Sequence, residues 1–570
     1  MNQFVPQRLE VDRKHVTDPA RHPLLVLRND NVRVWFKKDD QFWVPKANIR
    51  LFLRSPVASL TPANAVMTRL YVDLVEDSLK EYSYDAEIAG LSYSLSGSAQ
   101  GLEVELNGFN DKMPVLLEKV LLGIRDLETK QERFNVIKER VRKAYKNFDY
   151  RAPYRQISAF SRMLISERSW APFQMLEEIP AVTAEEMRLY FPELLRRMHI
   201  EILVHGNFNK EDALGITRLV ESTLRRSRQL PESQWSPRRA VALPSGAEHL
   251  YERVLKDPDN VNHCLEYIIS VGLVSDRSQR AKLLLFSQIA KQSCFDTLRT
   301  KEQLGYIVNS DAGVYVTVGT WRILLQSERN CKYLEERCDA FLVKLEHDLR
   351  VMTEETFEEH KIGLINKHLE KVKNLGQEAL RFWTHITSEM FDFEQGTFAT
   401  FHYIPSTLAL LPCAFSDLIH QTSTVSRDVE HIEPLSKVDM LEFFSRYIHP
   451  SSSTRAKLSI HLIAQASTGA STVTEDSAAA KDSAAAKESA AGEDSAAAED
   501  KAAAEEKLDA SVLRAEQGVV AVNGPEPSAS SERVPFKIED VRAWKASLHL
   551  STAAIPVKSL HEFEEFGSKS

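Results

Sequence analysis

The chain has 570 residues, 43% of them hydrophobic and 27% charged, which is the make-up of a globular protein too long for a single core. The net charge of −9 is concentrated, because ten acids against four lysines between positions 475 and 507 carry two thirds of it. The nearly balanced remainder lacks the clustered basic surface that a nucleic-acid partner requires, and no apolar run is long enough to span a bilayer, which argues against membrane as a partner.

The N-terminus, Met1-Asn-Gln-Phe-Val-Pro6, has no signal-peptide layout. Five cysteines (264, 294, 331, 338 and 413) are few, odd in number and set mostly in helical patterns, so they read as free thiols of a reducing compartment. Cytoplasm is the expected location.

In chain order, Asn31–Phe36 and Asn48–Leu53 alternate with period two and are expected to pair as strands around Asp39-Asp40. Thr61-Pro62 has the form of a helix N-cap followed by proline at the first helical position. The helix it opens carries Met67, Leu70, Tyr71, Leu74, Leu79 and Tyr82 on one face, and Gly90 stops it. Leu91–Leu95 and Gly101–Asn107 predict a second strand pair, followed by helices over 112–127, 130–147 and 152–167. Ile200–Gly206 predicts a strand feeding a helix capped by Asn209.

Turn formers at Leu230–Pro237 and Leu243–Gly246 mark a break, and then the order begins again. Cys264–Val271 predicts a strand and Ser278–Thr297 a helix. A corner at Arg299–Tyr306 leads to strands at Val314–Val318 and Arg322–Leu325. Helices are expected over 331–349, 354–373 and 376–391, then a strand at Ala456–Ile463. The helix running to Glu87-Ile-Ala-Gly-Leu-Ser-Tyr93 parallels the one running to Glu302-Gln-Leu-Gly-Tyr306, an internal duplication of an α+β unit with a mainly antiparallel sheet on helices.

Residues 466–530 differ in kind. Asp476-Ser-Ala-Ala-Ala-Lys481 recurs with a period of six, so its charges drift around a helix axis and no apolar stripe forms. This low-complexity, alanine-rich segment is expected to be a disordered, solvated insertion in a surface loop. Order is expected to resume at Val534–Asp540, a strand leading to a helix that runs to about Leu550.

A catalytic zinc needs three converging protein ligands, and the usual paired spacings are absent. His360 and His368 lie too far apart on one helical stretch, as do His199 and His205 on one strand, and Cys331 and Cys338 have the spacing of a core seam. Nucleophile-elbow, P-loop and dinucleotide motifs are missing as well. What remains is Cys294-Phe-Asp-Thr-Leu-Arg-Thr-Lys-Glu-Gln-Leu-Gly-Tyr306. Arg299 offers a planar donor fork, Tyr306 a phenolic donor suited to a developing oxyanion, and Gly305 the backbone freedom to turn. Two structural readings stand beside this: Arg299 pairing with Glu302 or a neighbouring helix end, and Tyr306 filling a strand core.

That segment closely resembles a signature in the C-terminal half of the insulysin-like zinc metallopeptidases of the pitrilysin family. The resemblance runs from about Phe4 to Leu560 through Leu25–Pro45, Tyr71–Asn110, His199–Asn207 and Gln326-Ser-Glu328. It implies two homologous pitrilysin-type α+β domains, at 21–240 and 241–570, after a remnant of an inter-half linker at 1–20. It also implies that Arg299 and Tyr306 hold a peptide backbone or tetrahedral intermediate while Phe295 lines the adjoining pocket. The family's zinc motif, H-x-x-E-H, occurs nowhere in this chain. No catalytic set is therefore complete here, no cofactor is expected in this chain, and zinc is expected only in an N-terminal half outside it. The expected function is that of a non-catalytic half that binds peptide substrate and closes on a zinc-bearing half. A stand-alone peptide-binding scaffold is the alternative, and a second copy of the chain is a possible further partner. Met1 falls where the family's linker would end, which fits a fragment and a split gene equally.

Overall fold

The computed structural model describes residues 2–13, 16, 19–224, 228–393, 427–466 and 534–564. The alanine-rich insertion and Cys413 lie outside these. The first part of the chain runs β1 (Leu24–Arg28), β2 (Val32–Lys38), β3 (Lys46–Arg54), α1 (Pro62–Ser78), α2 (Lys80–Ile88), β4 (Leu91–Ser98) and β5 (Gly101–Phe109). It continues through α3 (Met113–Arg125), α4 (Gln131–Phe148), α5 (Pro153–Ile165), α6 (Pro172–Glu178), α7 (Ala184–Arg196), β6 (Arg197–Gly206), α8 (Lys210–Thr223) and the short β7 (Arg228–Gln229). The second part has β8 (Glu248–Val254), β9 (His263–Leu273), α9 (Arg277–Cys294), β10 (Ile307–Tyr315), β11 (Val318–Ser327), α10 (Cys331–Val351), α11 (Glu354–His368) and α12 (Leu375–Thr387). It closes with α13 (Arg427–Ile432), α14 (Lys437–Phe443), β12 (Ala456–Ile463), β13 (Phe536–Lys537) and α15 (Val541–Ala546).

The expected caps are in place. Thr61 accepts the amide of Asn64 with Pro62 at the start of α1, Asn209 accepts the amide of Asp212, and Gly90 turns the chain with φ of +75°. The capping box of α7, built by Thr183 and Glu186, closes a helix that the hydrophobic pattern alone did not mark. Leu79 breaks the expected long helix into α1 and α2. Helix α11 stops at His368, and α12 stops at Thr387, where Glu389 and Phe391 take positive φ.

Two strand expectations are corrected. β2 and β3 form no hairpin, because β6 inserts between them and Ile202 faces Val34 on one side and Leu51 on the other. Period two says which face of a strand is buried, not which strand lies beside it. Val314–Val318 is not one strand, since β10 ends at Tyr315 and the chain reverses through Val316 and Thr317. Val316 has φ of +60°, a conformation rare for a β-branched residue. The turn is held by Thr317, whose hydroxyl bonds with Ser551 and the carbonyl of Thr552.

The duplication is visible in the topology. The first sheet has the order β1-β2-β6-β3-β5-β4, with β7 beside β6, and the second has β10-β11-β9-β12-β8-β13. In each, the first long strand of the repeat lies parallel to the last (β2 with β6, β8 with β12), and the last then pairs antiparallel with the second. A hairpin completes the outer side, β4–β5 in one sheet and β10–β11 in the other. Both sheets belong to one compact unit, Met1–Ser467 with Val534–Ser570.

The two sheets exchange helices. α5, from the first part of the chain, lies on the second sheet, where Ile157, Phe160 and Leu164 pack among Ile268, Leu458 and Ile460. α12, from the second part, lies on the first sheet, where Phe382, Trp383 and Ile386 pack among Trp35, Phe52 and Leu203. Each visiting helix also carries a buried polar anchor. Glu378 of α12 is fully buried, 3.0 Å from His205 Nε2 and 3.4 Å from Lys37 Nζ. Ser161 of α5 donates to Glu266, which also pairs with Arg322. Removing one side of such an anchor strands a buried charge.

The edge of this exchange can be measured. Trp383→Ala is expected to cost about 3–5 kcal/mol, read as a lowered midpoint in urea unfolding, because it opens a cavity between α12 and the first sheet. A second expectation concerns acid. Glu335 of α10 meets Lys457, Ser459 and His461, alternate residues on one face of β12, at 2.7, 2.7 and 2.9 Å. Burial alone would raise its carboxyl, but the His461 bond and the Lys457 charge outweigh it and hold it down to about 2. A lowered carboxyl stabilises the fold above its unfolded value and loses that contribution as pH falls. Stability should therefore drop by up to roughly 3 kcal/mol between pH ~4.5 and ~2. Denaturation of Glu335→Gln at the same pH values should lack that component.

Candidate functional site

Helix α9 does not end cleanly. From Phe295 to Lys301 it widens into a π-helical stretch, and the amide of Glu302 reaches back five residues to the carbonyl of Thr297 at 2.9 Å. Such widenings displace side chains from regular helical positions and recur at functional sites. The chain then turns through Gln303, which has φ of +52°, and enters β10. Gly305 is required for a reason other than torsional freedom, since its φ is not positive. A Cβ there would sit 1.9 Å from the carbonyl oxygen of Gln326 on the neighbouring β11.

Arg299 Nη1 donates to the carbonyls of Gly305 at 3.0 Å and Tyr306 at 2.5 Å, bracing the corner from inside. Its guanidinium carbon lies 4.6 Å from the centre of the Tyr306 ring and 5.6 Å from that of Phe295. The three side chains thus form one cluster, with the cation between two aromatic rings. Phe295 is 42% exposed and Tyr306 81% exposed.

Arg299 does serve backbone carbonyls just past its own helix, but the other structural alternatives do not describe this geometry. Glu302 does not pair with Arg299, because Arg337 of α10 takes it in two bonds of 2.7 and 2.8 Å. Tyr306 fills no core.

Two supporting contacts reach the corner from across the fold, and of Arg337, Gln326 and Tyr154 only Gln326 lies in a segment that the family resemblance names. Arg337 fixes Glu302 from 35 positions away, and the side chain of Gln326 accepts the amide of Tyr154 at 3.0 Å, tying the start of α5 to this corner. Neither has a local spacing signal. Cys294 is buried behind the cluster, and burial pushes its thiol up to about 12 despite a hydrogen bond with Ser310. It is a packing residue at neutral pH.

The other chemistry-bearing residues are engaged elsewhere. His205 Nδ1 bonds with the carbonyl of Lys37 while Nε2 faces Glu378. His199 lies 3.5 Å from Glu201 and is covered by the Trp235 ring. His360 and His368 are both pushed below the usual imidazole range by burial. Cys331 bonds through sulfur to the carbonyls of Cys264 and Leu462, and Cys338 is in the second core. Among the described residues no three His, Cys, Asp or Glu side chains converge on a point that could hold a metal, and the donor sets fit no zinc ion. No described helix is long and apolar enough to cross a membrane.

Residues 1–178 match the family described as the middle or third domain of peptidase M16, and residues 285–383 match a PqqF-like C-terminal lobe domain 4. The chain is 33% identical over 477 residues to the insulin-degrading enzyme of Homo sapiens, covering 83% of this chain and 44% of that protein. It is 32% identical over 464 residues to the A-factor-processing enzyme of Saccharomyces cerevisiae, covering 81% of this chain and 42% of that one. It therefore spans less than half the length of these relatives. A crystal structure of pitrilysin superposes with a TM-score of 0.67 at 22% identity, covering 81% of this chain and 45% of that chain. A peptidase M16 inactive domain from Pseudomonas fluorescens superposes with a TM-score of 0.53 at 12% identity, covering 78% and 98%. These two likenesses show the fold.

The corner yields its own expectation. Gly305→Ala forces the β10 entrance away from β11, and its unfolding midpoint in urea should fall by an amount equivalent to about 1–3 kcal/mol. An unchanged midpoint would mean that the close approach to Gln326 is not needed.

Proposed function

Because the chain is an insulysin-like protein of the peptidase M16 family, we propose that it is a non-catalytic half that closes over a zinc-bearing half and holds the peptide to be cleaved. The observation that carries this is the Phe295–Arg299–Tyr306 cluster, built on a π-helical corner with Phe295 and Tyr306 exposed. Tyr306 supplies an exposed hydroxyl donor, Arg299 a cation, and Phe295 an apolar wall. Together they suit a peptide carbonyl acquiring negative charge, with a side chain resting beside it. Hydrolysis needs an activated water, and the zinc that would supply it belongs to the other half.

In this reading the domains divide at 240 and 241, after a linker remnant at 1–20, with the alanine-rich segment inserted in the second domain. The free, buried thiols of Cys264, Cys294, Cys331 and Cys338 support a reducing compartment, the cytoplasm.

The test mixes the purified chain with a separately produced zinc-binding half and follows cleavage of a fluorogenic peptide. Cleavage should be faster than with that half alone, and Arg299→Ala or Tyr306→Phe should each remove about tenfold or more of the gain. No acceleration would overturn the complementing role, and retained peptide binding in that case would point to a stand-alone peptide-binding protein.

A further inference from the structure

Three arginines near the open end of the β10–β11 hairpin have no carboxylate partner among the described residues, and each lies over a tyrosine instead. Arg299 lies 4.6 Å from the Tyr306 ring, Arg155 lies 5.5 Å from Tyr154, and Arg329 lies 6.0 Å from Tyr333. Three buried arginines, Arg280, Arg322 and Arg455, are by contrast matched to carboxylates.

The three stacks are tied to one strand end. Gln326 stands opposite Ile307, next to Tyr306, and its side chain accepts the amide of Tyr154. One residue on, Ser327 Oγ accepts the amide of Arg329 at 3.0 Å, and Asn330 accepts that of Tyr333 at 2.9 Å. Arg155 and Arg329 are exposed, Tyr333 is 41% exposed, and Tyr306 is the most exposed of all. Of the neighbouring carboxylates, Glu302 is taken by Arg337, Asp149 by Lys256, and Asp257 accepts the amide of Asp259, while Glu328 is exposed and makes no ion pair with Arg329 among the described residues.

Each guanidinium keeps one paired N–H edge uncommitted among the described residues, since Arg299 uses only Nη1, on the carbonyls of Gly305 and Tyr306, and Arg155 only Nε, on the Tyr154 hydroxyl, and a guanidinium held beside a ring loses little further freedom on binding. That edge pairs with a carboxylate through two parallel hydrogen bonds. We propose that this rim, made by Tyr154–Arg155, Arg299–Tyr306 and Arg329–Tyr333, binds acidic side chains of the peptide and so selects substrates with carboxylates flanking the held segment. This rests on the peptide-holding reading above and names the chemistry it prefers.

The experiment compares two fluorescently labelled peptides, identical except that Glu and Asp in one are Gln and Asn in the other, by anisotropy titration against the full chain. The acidic peptide should bind about tenfold more tightly, and the difference should shrink as salt is raised. In the double variant Arg155→Gln/Arg329→Gln the preference should fall to about twofold, with unfolding in urea unchanged. Arg155→Lys with Arg329→Lys should restore only part of it, because an ammonium cannot pair bidentately. Equal binding of the two peptides, or a preference that survives the double glutamine variant, overturns the rim while leaving peptide holding intact. Failure to bind either peptide overturns both readings.

Discussion

Each sheet of this chain has two faces to cover and takes one of the covering helices from the other part of the chain. α5 crosses to the second sheet and α12 to the first, and each brings an aromatic or aliphatic stripe with a buried polar anchor. The exchange makes the two repeats interdependent, because neither sheet keeps its second layer if the other repeat unfolds. It also places the start of α5 beside Gln326, so the corner that presents Tyr306 is braced by a helix from the opposite repeat. The geometry of the candidate site thus depends on the interlock rather than on the α9–β10 segment alone.

Much of the architecture was legible from period and punctuation. Thr61-Pro62, Gly90 and Asn209 act locally, and the structure uses them as their chemistry demands. The repeat was legible as an order of elements, and the two sheets realise it strand for strand. Pairing was less accessible. β6 inserts between β2 and β3 because a strand buried on both faces belongs in the middle of a sheet, yet nothing near Asn31–Leu53 announces a strand 150 residues away. Val316 failed for the opposite reason: its local preference is for strand, and distant bonds through Thr317 override it.

The candidate site divides in the same way. Phe295, Arg299 and Tyr306 lie within twelve positions of one another, and the resemblance to the insulysin-like family singled them out together. Their meeting in one aromatic–cation cluster depends on the π-helical widening, which has no sequence signature here. Gly305 was identified correctly as special, but for torsion, whereas the structure assigns it to close approach against Gln326. Arg337, Gln326 and Tyr154 act across the fold and carry no spacing signal of their own.

Hydrogen–deuterium exchange of the full chain, with and without saturating peptide, bears most directly on whether the corner holds substrate. Protection on binding should concentrate in peptides covering 295–308, with Tyr306→Ala weakening it. Protection confined to other segments, with 295–308 unchanged at saturation, would contradict the assignment.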